Sequence, residues 1–259
     1  MIPEATRERL LAMPWLKPHW VDARGDMRFV TQSFLVESGG RRILVDTCLG
    51  NDKERKNPDF HRLQTPFLER LSEAGVEPGA VDVVLCTHLH FDHVGWNTRW
   101  VDGRWIPTFA NARYLFSRRE WEHWGPRPGH AYVVEDSLRP LFEAGLVDLV
   151  DVVEGGWSVT DEVSLVPTPG HSPGHVSVRI ASGGHTAIIT GDAIHHPCQV
   201  GHPEWTSPAD TDAGRAKATR EAMLEAARAE GTLLIGTHFA EPAAGRVTGL
   251  AGAMRLIGE

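Results

Sequence analysis

The chain has 259 residues, of which 41% are hydrophobic, and a formal net charge of −8. This length can bury a full core as one large α/β domain or two small ones, and no linker divides it. We therefore predict a single domain over residues 1–259, with residues 1–27 as a candidate N-terminal arm. The acidic balance, with no run of more than two Lys or Arg residues, argues against nucleic acid as a partner.

Apolar runs in the sequence are too short to span a membrane, and the first seven residues lack the basic-then-apolar order of a secretion signal. We therefore expect a cytoplasmic protein with no membrane partner. The three cysteines form neither a disulfide framework nor a Cys-x-x-Cys metal clip. Their spacing favours buried, small apolar side chains at Cys48, Cys86 and Cys198.

Residues 13–20 contain Trp15, Pro18 and Trp20 among polar residues, with no helical or strand period. Exposed tryptophans in this arm would form a lid or a subunit contact, as in a homodimer. Packing of the arm back onto its own domain is the alternative, and the sequence leaves both open.

Two β-rich runs follow, over residues 29–37 and 41–46, and a Ser-Gly-Gly sequence separates them. This pattern predicts a β-hairpin. Apolar residues then recur at helical spacing over residues 63–71, before Gly75. They predict an amphipathic helix that ends at the glycine.

The next apolar run, Val-Asp-Val-Val-Leu-Cys, predicts a buried strand, and Thr-His-Leu-His-Phe-Asp-His follows it at residues 87–93. Strand-like alternation would point His88 and His90 the same way. A bend after His90 would bring Asp92 and His93 round from another side. This arrangement of imidazoles and a carboxylate can hold two metal ions, whereas a solvated histidine-rich turn is the alternative interpretation.

A tryptophan-rich region comes next, broken by prolines and by Asp102-Gly103. An irregular aromatic region beside a metal-binding turn can form the walls of a substrate pocket. Ordinary packing is the alternative, because residues 112–117 resemble a buried strand that tryptophans would cover. Residues 137–144 then predict a helix that Gly145 ends. The tryptophans of this region are Trp96, Trp100, Trp105, Trp121 and Trp124.

Three further strands are predicted, over residues 163–166, 176–180 and 186–190. The first runs into a loop of prolines and glycines that would hold His171 rigidly. The third runs into a glycine followed by Asp192, and a glycine at this point lets the backbone approach an ion closely.

The last clear helix is predicted over residues 208–230, with Pro208 in its first turn and Gly231 at its end. The apolar run 233–235 then leads to another histidine. Strand ends at one rim of a sheet are where open α/β folds place ligands, so we expect the strand-end residues to converge. Taken singly, His171, Asp192 and His238 are each more typical of the surface or of a hydrogen-bonded core than of a metal site, and the joint pattern reverses this. These strand-end residues are His88, His171, Asp192 and His238.

These residues resemble the signature of the metallo-β-lactamase superfamily, and the resemblance covers nearly the whole chain. The signature is His-x-His-x-Asp-His, a later Gly-His in a Pro-Gly loop, a Gly-Asp pair and a final His, in this order. The resemblance implies an α/β fold of the four-layer αββα sandwich type, with two facing sheets and helices outside. It also implies one metal held by His88, His90 and His171, a second held by Asp92, His93 and His238, and Asp192 as the bridge.

This sequence departs from the patterns of several branches of the superfamily, and these differences reduce the number of expected activities. The best-known zinc lactamases have a cysteine where this chain has Asp192, and glyoxalase II adds a helical C-terminal domain, whereas 21 residues follow His238 here. The tRNA-processing nucleases carry a substrate arm that we do not find. N-acyl homoserine lactonases share His-Leu-His-Phe-Asp-His, but a tyrosine stands where this chain has His195. Gln199 and the run 238–242 look more like the methyl parathion hydrolase branch.

The resemblance thus implies a binuclear metal-dependent hydrolase of lactones or of aryl and carboxylic esters. Zn²⁺ is the first choice, and Mn²⁺, Co²⁺ or Fe²⁺ also suit these ligands. Two ions about 3.5 to 4 Å apart would share a hydroxide as the nucleophile. Asp92 would accept the released proton, and His195 would donate a hydrogen bond to the oxyanion. The alternative for His195 is a supporting or merely exposed histidine beside His196.

Other branches with similar ligands leave three alternative functions open. The first is hydrolysis of organophosphate triesters, as in methyl parathion hydrolase, and the second is thioester hydrolysis, as in glyoxalase II. The third is a mononuclear iron dioxygenase acting on a persulfide, for which one iron per chain would be the indication. For the hydrolases, the expected partner is a small-molecule ester, lactone or phosphotriester.

Overall fold

The computed structural model describes residues 2–250 and 252–259. Its α-helices are α1 (Arg7–Leu11), α2 (Phe67–Glu73), α3 (Arg118–Trp124), α4 (Ala131–Val133), α5 (Arg139–Glu143), α6 (Cys198–Gly201) and α7 (Ala213–Glu230). Its β-strands are β1 (Phe34–Ser38), β2 (Arg41–Val45), β3 (Val83–Leu85), β4 (Thr98–Val101), β5 (Arg104–Pro107), β6 (Arg113–Ser117), β7 (Val147–Val150), β8 (Trp157–Ser158), β9 (Val163–Pro167), β10 (Val176–Ser182), β11 (His185–Ile189), β12 (Leu233–Ile235), β13 (Ala244–Thr248) and β14 (Arg255–Gly258).

The chain divides into two compact units. We call Thr31–Asp151 the central unit, and residues 2–30 together with Val152–Glu259 the terminal unit. Each contains its own sheet and its own apolar core. None of the helices in the described parts of the chain combines the length and the apolar character that a membrane span requires.

The central unit is built on a sheet of order β1-β2-β3-β6-β7. The predicted hairpin of β1 and β2 is confirmed, because Ser38 pairs with Arg41 across a turn in which Gly39 and Gly40 both take positive φ. Its first strand begins at Phe34, so the prediction of a strand from residue 29 is wrong. The other strands of this sheet are parallel, and β3 between two of them is fully buried.

Three helix ends confirm the predicted glycine stops: Gly75, Gly145 and Gly231 take positive φ just after α2, α5 and α7. The tryptophan-rich region is more regular than predicted, because β4 and β5 form an antiparallel hairpin. Asp102 and Gly103 make its turn, both with positive φ. This sequence was therefore a hairpin signal rather than a break in regular structure.

The terminal unit has a sheet of order β14-β13-β12-β11-β10-β9-β8, antiparallel except where β11 and β12 run parallel. Its long helix α7 begins at Ala213, where the Asp212 side chain caps the Arg215 N–H at 2.9 Å. The prediction of a helix from Pro208 is wrong. Residues 207–210 instead form a turn, in which the Ser207 N–H donates to the Asp210 carboxylate at 3.0 Å.

The N-terminal segment packs into the core of the terminal unit. Leu16 and Val21 are fully buried, and Trp20 is 2% exposed. The indole N–H of Trp20 donates to the Ala240 carbonyl at 3.0 Å. Of the two alternatives left open by the sequence, packing onto the protein's own body is therefore the arrangement in the structure.

Candidate metal centre

The histidine motif lies in the loop after β3 of the central unit. Its imidazole rings cluster, with centroids 4.0 Å apart for His88 and His93 and 4.6 Å apart for His88 and His90. The Asp92 carboxylate lies 3.8 Å from the His93 Nε2. Since β3 ends at Leu85, turns rather than strand alternation bring these four predicted residues together.

Asp46, at the end of β2, orients this cluster. Its carboxylate accepts the His93 Nδ1–H at 2.9 Å and also the Thr87 N–H at 2.7 Å and hydroxyl at 2.9 Å. Because the Thr87 hydroxyl donates to Asp46, its oxygen can accept the His88 Nδ1–H at 3.2 Å. With Nδ1 protonated, His88 and His93 present Nε2 as the metal-binding nitrogen.

Asp46 is not among the residues predicted from the sequence. The available signal was its position, since it directly follows the apolar strand β2, and Asp192 likewise lies shortly after a strand.

The backbone of Leu89, between the first two histidines of the motif, is held by buried side chains. Glu120 accepts the Leu89 N–H at 3.3 Å, and His130 hydrogen-bonds the Leu89 backbone. Burial lowers the pKa of His130 to about 4. The Trp124 ring lies between two imidazoles, 4.8 Å from His90 and 4.9 Å from His130. These contacts limit the freedom of the loop.

In the terminal unit, three imidazoles converge on one buried carboxylate, that of Asp192. The His238 Nε2 lies 3.1 Å from Oδ1. The Nε2 atoms of His171 and His195 lie 3.4 and 3.3 Å from Oδ2. The three terminal-unit residues predicted as ligands therefore do come together, with His195 beside them.

Hydrogen bonds on the far side of each ring set these orientations. The His171 Nδ1–H donates to Asp210 at 2.9 Å, and the His238 Nδ1–H donates to the Val30 carbonyl at 2.8 Å. The Asp192 N–H donates to His175 Nε2 at 3.0 Å. As in the central unit, Nε2 is the nitrogen left to face a metal. Neither Asp210 nor His175 was selected from the sequence.

Gly170 is required by the way in which the His171 loop meets α7. Its φ is +140°, and a Cβ at this position would lie only 2.4 Å from the Cα of Ala216. Any side chain would therefore push the loop away from the helix. Gly170 thus allows the close backbone contact that places the His171 loop against α7.

His195 is 2% exposed, so the alternative of a merely exposed histidine is excluded. Its backbone N–H donates to Gln199 Oε1 at 2.7 Å, and Gln199 Nε2 donates to the Trp205 carbonyl at 2.9 Å. Burial lowers the pKa of His195, and the charge of Asp192 opposes this effect. Ligand atoms of His171, His195 and Asp210 lie within 4.8 Å of one another, so His195 belongs to the same cluster.

The donor sets of both units fit divalent transition metals. Imidazole nitrogens and carboxylate oxygens are ligands for Zn²⁺, Mn²⁺, Co²⁺ and Fe²⁺. The Nδ1 atoms of four histidines are held by hydrogen-bond acceptors, as is usual for metal-ligating histidines. Burying imidazoles and carboxylates this close together costs free energy unless the groups are paired. Bound divalent cations would supply that pairing.

A cavity of about 700 Å³ opens beside this motif in the central unit, and Phe60, Phe91 and Tyr132 are among its lining residues. Trp100 and Trp105 line a separate cleft of about 590 Å³. Trp96 instead stacks on Phe67 in the core, and Trp121 packs on Phe142. Ordinary packing therefore applies to Trp96 and Trp121, and the role of this region as the wall of a substrate pocket stays a prediction.

Comparisons with known proteins agree with this geometry. The family model described as "Metallo-beta-lactamase superfamily" matches residues 27–238. An N-acyl homoserine lactonase of a Bacillus species is 32% identical over 160 residues, which are 57% of this chain and 56% of the relative. A probable metallo-hydrolase of Mycobacterium tuberculosis is 27% identical over 183 residues, 62% of this chain and 56% of the relative. The matches thus span little more than half of these relatives.

Solved structures show the same fold. That of AidC, a dizinc quorum-quenching lactonase in complex with a product, has a TM-score of 0.79 at 22% identity and covers 100% of this chain and 88% of that one. The predicted metallo-β-lactamase fold is therefore confirmed. With a family match over most of its length and the signature histidines and aspartates clustered as described, the chain belongs to the metallo-β-lactamase superfamily.

Proposed function

We propose that this protein is a binuclear metal-dependent hydrolase of lactones or of aryl and carboxylic esters. The observation that carries the proposal is the orientation of the imidazoles. His88, His93, His171 and His238 all engage Nδ1 in hydrogen bonds and so present Nε2. Family membership supports the same conclusion. That the whole chain acts as one hydrolase domain is part of the proposal.

We assign seven residues as ligands, following the family signature. His88, His90 and His171 would hold one ion. Asp92, His93 and His238 would hold the other, and Asp192 would serve both. The contacts of the Asp192 carboxylate support this role, because each of its oxygens lies within 3.4 Å of an imidazole Nε2. Zn²⁺ is the proposed metal, since it prefers this mixture of nitrogen and oxygen ligands.

When bound, two divalent ions supply an activated water as the nucleophile and polarise the scissile bond. The protein's own residues then perform the proton transfer and bind the developing charge. Asp92, which is half-buried, accepts the proton released on attack and passes it to the leaving group. His195 donates a hydrogen bond to the oxyanion, from a ring that Gln199 positions through the backbone.

The lining of the central-unit cavity supports a substrate with an apolar or aromatic portion. Phe60 and Phe91 form a ring pair with centroids 5.4 Å apart, and Phe91 lies within the histidine motif itself. Such a wall provides apolar contact area for an acyl or aryl group next to the proposed reacting bond. Several curated relatives are named N-acyl homoserine lactonases, which supports lactones as the first substrates to test.

Hydrolysis of phosphotriesters is the second candidate, and His195 is the observation that favours it. This chain has a buried imidazole at the position where the lactonases carry a tyrosine. The change alters the donor available to the developing oxyanion, so the preferred reacting group could differ from that of the lactonases.

The proposal is tested by a hydrolysis panel of acyl lactones, aryl esters and paraoxon-like triesters on protein of measured metal content. We expect two divalent ions per chain and turnover of at least one of these classes. Asp192→Ala is the inactive control. Two bound ions without hydrolysis of any member would overturn the substrate classes. One iron per chain with oxygen consumption on a persulfide would instead indicate the dioxygenase.

A further inference from the structure

Arg220 is a fully buried arginine in the middle of α7. Its Nε donates to the Ala193 carbonyl at 2.8 Å. Its Nη1 donates to the carbonyls of Pro203 and Trp205, both at 2.7 Å. Its Nη2 lies 3.9 Å from the Asp210 carboxylate. One guanidinium thus contacts three separate segments of the terminal unit.

These contacts all lie next to residues of the candidate metal centre. Ala193 directly follows Asp192. Asp210 accepts the Nδ1–H of His171 at 2.9 Å. The Trp205 carbonyl also accepts from Gln199, which in turn binds the His195 backbone. Arg220 therefore reaches His171 and Asp192 through one intervening group each, and His195 through two.

A buried arginine at this place has a considerable desolvation cost. The side chains of Arg220 and Asp210 are both 0% exposed, and burial lowers the pKa of Arg220. A helix in an ordinary core would be more stable with an apolar residue at this position. The planar fork of five N–H donors is, however, suited to holding several carbonyls in fixed relative positions. A lysine could not match this geometry.

We infer that Arg220 is a positioning residue, which couples the Asp192–His195 segment to His171 through Asp210. The inference rests on the proposed function, because it assigns Arg220 to the ligands of the proposed metal centre. Arg220 itself contacts neither metal nor substrate. Its effect is to keep two ligands, delivered by different strand ends, at the separation that a metal requires.

The test measures metal affinity directly. Zn²⁺ affinity is determined by competition with a chromophoric chelator, and the absorption bands of the Co²⁺-loaded protein report ligand geometry. We expect Asp210→Asn to weaken Zn²⁺ binding by about 10- to 100-fold and Arg220→Met by about 10-fold, in the range for partners of metal ligands. Arg220→Lys should recover part of the affinity, because it restores the charge without the fork.

The double variant Arg220→Met/Asp210→Asn tests the coupling. If Arg220 acts through Asp210, the double variant should lose less affinity than the product of the two single losses. A loss equal to that product would overturn the coupling. If Arg220→Met fails to fold, the pair Arg220→Lys and Asp210→Asn gives the same cycle.

Lys53→Met is the matched control, since Lys53 is also a fully buried cation but contacts no proposed ligand. Its Nζ donates to the Thr98 hydroxyl and the Asp136 carbonyl, both at 2.6 Å. We expect this variant to keep the Zn²⁺ affinity and the Co²⁺ spectrum of the unchanged protein, whatever its effect on stability. Equal behaviour of Arg220→Met and Lys53→Met would overturn the inference. Failure of the unchanged protein to bind metal would instead refute the proposed function.

Discussion

The two units hold their proposed ligands in different ways. In the central unit, four ligands lie within one short loop, and their rings cluster at centroid distances of 4.0 to 4.6 Å for the histidines. In the terminal unit, His171, Asp192 and His238 come from three different strand ends. Local chain geometry therefore brings the proposed ligands together in the central unit, whereas long-range packing does so in the terminal unit.

The supporting residues differ accordingly. One carboxylate, Asp46, contacts both His93 and Thr87 in the central unit. The terminal unit uses Asp210 for His171, the backbone of Val30 for His238, and the buried Arg220 behind them. Each of these dispersed histidines thus has a hydrogen-bond acceptor of its own, whereas one carboxylate orients two residues of the contiguous motif.

The largest expected effect follows from removal of Asp192. Its carboxylate is the one on which the three terminal-unit imidazoles converge. We expect Asp192→Ala to abolish hydrolysis and to release at least one metal ion per chain, measured by elemental analysis. Retention of two ions per chain would contradict its assignment to both ions.

His238→Ala separates the two ions. We assign His238 to the second metal together with Asp92 and His93, so its loss should release that metal selectively. The ratio of metal to protein should fall from two to one, and hydrolysis should fall with it. Equal loss of both ions would mean that the two binding sites are not separable as we assign them.

His195 lies in the same cluster as the terminal-unit ligands but is not itself assigned as a ligand. If it donates a hydrogen bond to the oxyanion, His195→Ala should lower kcat by about 10²- to 10³-fold and leave the metal content unchanged. His195→Tyr should restore part of the activity and shift kcat/KM towards acyl lactones relative to phosphotriesters, because a phenol is a neutral donor. Unchanged kinetics in His195→Ala would show that the residue is a bystander.

Asp46→Asn tests whether the contiguous ligands depend less on support. Loss of the charge weakens the hydrogen bond to His93 Nδ1, and we expect about 10-fold weaker Zn²⁺ binding, the low end of the range for such partners. Asp210→Asn is the matched variant in the terminal unit and should have the larger effect. A larger loss of Zn²⁺ affinity in Asp46→Asn than in Asp210→Asn, measured by chelator competition, would contradict the proposed difference between the units.

The smallest expected effect on the metal centre is that of Lys53→Met, which should instead change the pH dependence of stability. Burial lowers the pKa of Lys53 to about 7 from the ordinary 10.5, and the charge of Asp136 opposes this shift. The charge of Arg55 lowers the pKa of Lys53 further, and the charge of Asp52 raises it. Between pH 7 and 10.5 the unfolded chain therefore binds the additional proton, so the free energy of unfolding rises with pH.

The Lys53→Met variant lacks the amine that binds this proton. Urea unfolding at several pH values should show the unchanged protein gaining on Lys53→Met by about 1.4 kcal/mol per pH unit across that interval. Parallel curves for the two proteins would mean that Lys53 titrates normally.

Much of the candidate site could be predicted from the sequence, because its ligands follow short-range patterns. The motif of residues 87–93 is contiguous, and His171, Asp192 and His238 each follow an apolar strand. The hairpin turn at Ser38 and the glycine stops were equally local signals, and the structure confirms them.

Tertiary structure alone decided which residues support the ligands. Asp210 and Arg220 have no local pattern that sets them apart from other charged residues, and the partners of Asp46, Asp210 and Arg220 lie far away in the chain. The start of α7 was mispredicted for a related reason, since Asp210 hydrogen-bonds the Ser207 backbone and His171 instead of joining the helix. A periodic pattern records which face of an element is buried, whereas a hydrogen bond between distant segments exists only once the fold has brought them together.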